Sequence, residues 1–87
     1  MPSHNAEAFL KALVDTMRKE RLRLKLSQDH LATKSGVDRG TISRLERLER
    51  IPSILALYDL AEALGTPLQV FVEKAHKQES SSGRAKG

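Results

Sequence analysis

Residues 28–47, Gln28-Asp-His-Leu-Ala-Thr-Lys-Ser-Gly36-Val-Asp-Arg-Gly-Thr-Ile-Ser-Arg-Leu-Glu46-Arg47, constrain the chain more than any other stretch. Gly36 falls where a first short helix must stop and the chain must reverse. That reversal needs φ > 0, which glycine adopts at little steric cost. Ser27 precedes the first helix and Asp38 precedes the second. Both are residues whose side-chain oxygen accepts from an otherwise unpaired N–H at a helix start. In the second helix Ile42 and Leu45 are three residues apart and share a face. Arg39, Gly40, Ser43, Arg44 and Arg47 are left on the other faces.

Two short helices meeting steeply across a glycine turn form a helix-turn-helix. The second helix is narrow enough for the DNA major groove, where its outward side chains reach base edges.

At 87 residues the chain is expected to form one domain with a small core, one that dimerisation would help and that leaves no room for a large active-site cavity. Cysteine is absent, which excludes disulfides and thiolate-ligated zinc. His4, His30 and His76 make no metal-ligand spacing, and no metal or cofactor is expected. No apolar run has the length of a membrane span and the first residues lack the pattern of a signal peptide, so a cytoplasmic protein is expected. The net charge of +4 favours a polyanionic partner. With 3% aromatic residues, base-stacking platforms for single strands or RNA are not expected.

From the N-terminus, a first helix is predicted from about Asn5, with Leu10, Leu13, Met17, Arg21 and Leu24 recurring on one face and Phe9 and Val14 widening it. Arg21 is a cation in an apolar stripe. A buried cation requires a fixed partner, and Glu46 is the best candidate. Arg18, Lys19, Arg23 and Lys25 make the end of this helix basic, suited either to the helix dipole or to phosphates. Helix 2 begins at Gln28 with Leu31, Ala32 and Ser35 inward. Ser35 must hydrogen-bond locally or stay half exposed. Helix 3 runs from Arg39 to at least Glu46. Helix 4 follows Ser53, with Ile54, Leu57, Leu60, Ala61 and Leu64 inward, and ends at Gly65 before Pro67. Helix 5 begins at Leu68. An alternating strand over 68–72 is the competing assignment, and the helix-forming run after Glu73 favours helix. Val70 falls off the Leu68/Phe71/Ala75 face, which makes the 66–76 segment a candidate dimer patch. The polar residues 77–87 are expected to be a disordered tail behind a folded domain over 5–76.

Ser27-Gln28-x-x-Leu31-Ala32, Gly36-Val37, Thr41-Ile42-Ser43-Arg44-Leu45-Glu46 and Pro52-Ser53 leading into Leu60-Ala61-Glu-Ala-Leu64-Gly65 resemble the lambda-repressor-like (Xre, Cro/cI-type) helix-turn-helix family of transcriptional regulators. The resemblance covers residues 9–75 and implies an all-α, five-helix domain. It also implies that Gln28 bonds a phosphate and braces helix 3. Arg39, Gly40 and Arg44 take base-facing positions, with Thr41 and Ser43 at the edges of the recognition helix 39–47. Arg47 and Arg50 become phosphate contacts, and Arg21 with Glu46 a structural ion pair. Two residues depart from the family pattern. Ser35 fills a usually apolar slot. Leu48 stands where the family places glycine, and φ > 0 at leucine costs roughly 1 kcal/mol or more. The three-residue steps Leu45, Leu48 and Ile51 allow helix 3 to continue a further turn instead.

The function expected is sequence-specific binding of a double-stranded operator, as a homodimer and as a repressor. The alternative is an antitoxin that represses its own operon and binds a protein toxin, although its tail is short for wrapping one. A protein-interaction module of the same fold is a third possibility. No nucleophile–base pair, metal cluster or phosphate-cradling loop points to an enzyme.

Overall fold

The computed structural model describes residues 4–86, and the side chains of 4–78. Five helices follow one another: α1 (His4–Arg23), α2 (Gln28–Ser35), α3 (Arg39–Glu46), α4 (Ile54–Leu64) and α5 (Leu68–Lys86). The described residues contain no strand, and the 68–72 segment is helical. The five-helix, all-α architecture expected from the sequence is the one observed. α1 packs chiefly along α5, while α2 and α3 pack on each other and respectively on α4 and α1.

The core forms where these faces meet. Leu13 and Met17 of α1, Leu31 of α2, Ile42 and Leu45 of α3, Leu60, Ala61 and Leu64 of α4, and Phe71 and Ala75 of α5 are all buried. Burying a side chain of the Leu, Ile or Phe class contributes about 1.5–3 kcal/mol. The two helix-turn-helix elements have only eight residues each, too short to be stable alone. They exist because Leu31, Ile42 and Leu45 bury their apolar faces against the longer helices.

The helix ends follow local chemistry. Ser27 Oγ accepts from His30 N–H at 3.0 Å, Asp38 Oδ2 from Thr41 N–H at 3.2 Å, and Ser53 Oγ from Ala56 N–H at 3.0 Å. Each supplies an acceptor to a first-turn donor that has no intrahelical partner. Gly36 ends α2 at φ 79°. Ser35 is half-buried and its Oγ accepts from Val37 N–H at 3.0 Å, a local bond that satisfies the hydroxyl in its usually apolar slot.

α3 does not continue past Arg47. Leu48 adopts φ 60°, its N–H donates to Leu45 O at 2.9 Å, and Glu49 N–H donates to Arg44 O at 2.8 Å. That is a Schellman stop with leucine in the left-handed position. The further helical turn suggested by Leu45, Leu48 and Ile51 is therefore absent: two carbonyl bonds outweigh the strain of the left-handed leucine. Lys25 closes α1 in the same way at φ 60°.

Three other expectations are corrected. Leu24 lies past the end of α1 and is 37% exposed, because the chain leaves the helical face at Arg23. Ile54 is 67% exposed, not inward. It opens α4, and the first turn overhangs the edge of the core that Leu60, Ala61 and Leu64 fill. Finally, α5 runs on through Lys86 across the segment expected to be a disordered tail, with Gly87 outside the described residues. Turns already packed through Phe71 and Ala75 supply the costly nucleus, and extension adds one hydrogen bond per residue.

Candidate nucleic-acid interface

A clamp of three side chains sets the position of α3. Arg21, 8% exposed, donates from Nε to Glu46 Oε2 at 2.7 Å and from Nη2 to Glu46 Oε1 at 2.9 Å. Its Nη1 donates to Leu26 O at 2.7 Å. Gln28 Nε2 donates to Glu46 Oε1 at 3.0 Å. One carboxylate at the C-terminal end of α3 thus gathers donors from α1 and α2, and the arginine ties in the α1–α2 loop. No buried side-chain nitrogen or oxygen among the described residues is left without a partner. Paired, two-point arginine–carboxylate contacts are directional as well as strong, so the clamp fixes the rotation of α3 about its axis.

That rotation turns Ile42 and Leu45 inward and leaves the other side of α3 open. Arg39 and Arg44 are exposed, while Gly40, Thr41 and Ser43 are half-buried. Arg39 Nε lies 3.2 Å from Asp29 Oδ1, and both side chains are mostly exposed. Arg44 has no ion pair among the described residues. Of the nearby carboxylates, Glu46 is engaged by Arg21 and Gln28, Glu49 by Arg47 at 3.1 Å, and Asp38, which lies beside Gly40 with the Arg44 guanidinium, caps α3 through Thr41 N–H.

Gly40 acquires a local reason. A Cβ there would stand 2.9 Å from Asp38 Oδ2, the atom that caps α3, and 3.4 Å from Arg44 Nη1. Glycine keeps the cap in place and leaves room for the Arg44 guanidinium above the first turn.

An open groove of about 660 Å³ runs between α1 and α3. Gln28, Arg39, Ser43 and Arg47 line it, together with Lys11, Asp15 and Arg18 from α1. Arg18 was one of the basic residues of α1 suited to phosphates, whereas Lys11 was not expected at the site. Their signal was available, since Lys11 and Arg18 are seven residues apart and so share a helical face. The basic end of α1 divides accordingly. Lys19 pairs with Asp15 at 3.1 Å and Arg23 with Glu20 at 2.6 Å. The hydrogen bond from Arg23 holds the Glu20 carboxyl below its ordinary range, and Glu20 in turn raises Arg23. Arg18 instead reaches toward the clamp, 4.0 Å from Glu46. Arg50 lies in a neighbouring groove with Leu10, Leu48 and Ile51.

The described residues contain no group of three or more side chains suited to a metal ion. No described helix is long and apolar enough to cross a membrane.

Residues 17–71 match the helix-turn-helix family HTH_3. The chain belongs to that family. It is thus a DNA-binding helix-turn-helix protein of the Xre, lambda-repressor-like type, a family of transcriptional regulators rather than of enzymes. An HTH-type transcriptional regulator of Sinorhizobium fredii, y4dJ, itself uncharacterised, is 42% identical over 40 residues, which is 46% of this chain and 52% of that protein. The match spans about half the length of that relative. Among solved structures, the restriction-modification controller protein C.Esp1396I superposes with a TM-score of 0.73 at 33% identity, over 79% of this chain and 88% of that one. The same controller as a tetramer in complex with its natural 35 base-pair operator gives a TM-score of 0.75 at 32% identity, over 82% of this chain and 93% of that one. The family match begins at Met17, four residues before Arg21, and ends at Phe71, so it contains the whole clamp and the whole of α3.

Proposed function

We propose that this helix-turn-helix protein binds a pseudo-palindromic DNA operator as a homodimer and represses transcription by occupying it. The folded unit of residues 5–76 carries α3 into the major groove. Arg39 and Arg44 read base edges, with Gly40 and Thr41 close to the bases, and Gln28, Ser43, Arg47 and Arg18 hold phosphates. Gln28 serves twice, since its amide already braces Glu46. Arg50, in the neighbouring groove, is the phosphate contact that the geometry supports least. Such a chain acts in the cytoplasm, where the DNA is.

The observation that carries this assignment is the state of Arg44. It is exposed on a helix whose rotation is clamped, above a glycine that makes room for it, with Glu46, Glu49 and Asp38 each engaged by another partner. A guanidinium so placed is suited to the paired O6 and N7 acceptors of guanine, worth about 1–3 kcal/mol of discrimination. Dimerisation has separate support. C.Esp1396I places a tetramer on 35 base pairs, which leaves each copy less than one helical turn of about 10.5 base pairs. A single short recognition helix reads too little sequence for operator specificity, and symmetry doubles it.

The test is a titration of duplex-DNA affinity against salt. A dimer that neutralises about four or five phosphates gives a log–log slope of roughly −4. Affinity that is weak and insensitive to salt refutes the proposal and favours a protein-interaction module of the same fold.

A further inference from the structure

A carboxylate stands against the arginine that opens the recognition helix. Asp29 is the second residue of α2, and its Oδ1 lies 3.2 Å from Nε of Arg39, the first residue of α3. Among the described residues this is the ion pair that joins the two helices of the helix-turn-helix. Gln28, the neighbour of Asp29, reaches Glu46 at the other end of α3. The start of α2 therefore touches α3 at both ends: Gln28 through the clamp, and Asp29 through an exposed arginine.

Helix electrostatics account for one half of this pair and not the other. The N-terminal end of a helix is its positive end, so Asp29 suits the first turn of α2 on that ground alone. Arg39 does not suit its place. It is a cation in the first turn of α3, which has no acidic residue of its own. Asp29 supplies the negative charge from the neighbouring helix. A guanidinium is a planar fork of five N–H donors. The carboxylate lies against Nε, the nitrogen at the base of the fork. That leaves the outer donors, on Nη1 and Nη2, for the O6 and N7 acceptors of guanine. The same carboxylate repels phosphate. An arginine without it, on a long flexible stem, bonds phosphates as well as bases, and a phosphate contact carries no sequence information.

We infer that Asp29 is a specificity-determining positioning residue, which holds the Arg39 guanidinium toward base edges and away from phosphates. Arg39 then contributes discrimination in place of general affinity. The inference rests on the base-reading role proposed above for Arg39. Its cost is affinity, because the carboxylate repels the backbone of every duplex, matched or not.

Fluorescence anisotropy of the full chain on three duplexes tests it. The first is the sequence that the wild type enriches from random DNA. The second carries a substitution at the base pair whose preference Arg39→Ala loses, and the third a substitution at another base pair of the half-site. Asp29→Asn lowers the preference at the Arg39 base pair by about three- to fivefold, the scale of an exposed ion pair, chiefly by tightening binding to the second duplex. Preference at the other base pair stays within about twofold of wild type. Added to Arg39→Ala, Asp29→Asn causes no further loss of preference, since no guanidinium is left to position. Circular dichroism stays that of wild type throughout, because both side chains are mostly exposed. Equal preference in Asp29→Asn and wild type overturns the role of Asp29 while leaving Arg39 a base reader. A further loss at any base pair when Asp29→Asn is added to Arg39→Ala makes Asp29 a base contact in its own right and overturns positioning. An Arg39→Ala chain that keeps every preference takes Arg39 off the bases, and the inference falls with that part of the proposed function.

Discussion

Replacing Arg21 with alanine strikes the clamp at its most buried member. The guanidinium makes two bonds to Glu46 at 2.7 and 2.9 Å and one to Leu26 O at 2.7 Å. Removing one partner of a buried ion pair costs about 3–5 kcal/mol, most of it from the charge left behind. Here the stranded Glu46 keeps Gln28 at 3.0 Å and could draw Arg18 in from 4.0 Å. The loss should therefore fall near the lower end, about 3 kcal/mol. That is a large part of the 5–15 kcal/mol typical of a domain, and it lowers the melting temperature on the order of 15 °C. Urea denaturation read by circular dichroism gives the difference directly. The double variant Arg21→Met/Glu46→Leu supplies the control. Apolar replacement of both partners is often neutral or stabilising, so it should recover most of the loss. An Arg21→Ala loss under about 1 kcal/mol, or a double variant no better than the single, would refute the reasoning from a desolvated pair.

Leu48→Gly should relieve about 1–2 kcal/mol of left-handed strain against about 0.5–1 kcal/mol of added chain entropy. Urea melts should show a net gain of about 0.5–1 kcal/mol. A loss of stability would mean that Leu48 packs within its own chain. Asp29→Asn frees Arg39 and removes a negative charge from the DNA-facing side. An exposed pair is worth about 0.2–1 kcal/mol, so fluorescence anisotropy should report up to about fivefold tighter DNA binding, and weaker binding would contradict the competition. Glu20→Gln should leave stability at neutral pH slightly lower and flatten the acid limb of the pH–stability curve. The folded Glu20 carboxyl titrates below its unfolded range, so its contribution is present above that range and is lost as pH falls through it. An acid limb identical to wild type would remove Glu20 from the account.

Much of this molecule could be read before any coordinates. Caps and stops depend on one or two residues, so Ser27, Gly36, Asp38 and Ser53 were legible locally. Arg21 was legible for another reason: a cation inside an apolar stripe demands a partner, however distant in sequence. Leu48 was not, because its three-residue spacing to Leu45 and Ile51 supports a helix while the carbonyl bonds of a Schellman stop support a turn, and only their relative strength decides. Ile54 has the period of the α4 core but sits where the core ends, and periodicity carries no information about edges. The groove joining Lys11 and Arg18 to Ser43 and Arg47 depends on how α1 crosses α3. That crossing is tertiary packing, absent from either segment alone.

The central claim is that Arg44 of a clamped α3 reads a base on a symmetric operator. Selection of bound sequences from random duplex DNA, run with wild type, Arg44→Ala and Gln28→Ala, tests it most directly. The wild type should enrich an inverted repeat with half-site centres about 10–10.5 base pairs apart. Arg44→Ala should lose preference at one position in each half-site, a discrimination of about 1–3 kcal/mol, while Gln28→Ala keeps the same motif at lower affinity throughout. An unchanged motif in Arg44→Ala, or a wild-type motif without symmetry, would contradict the account.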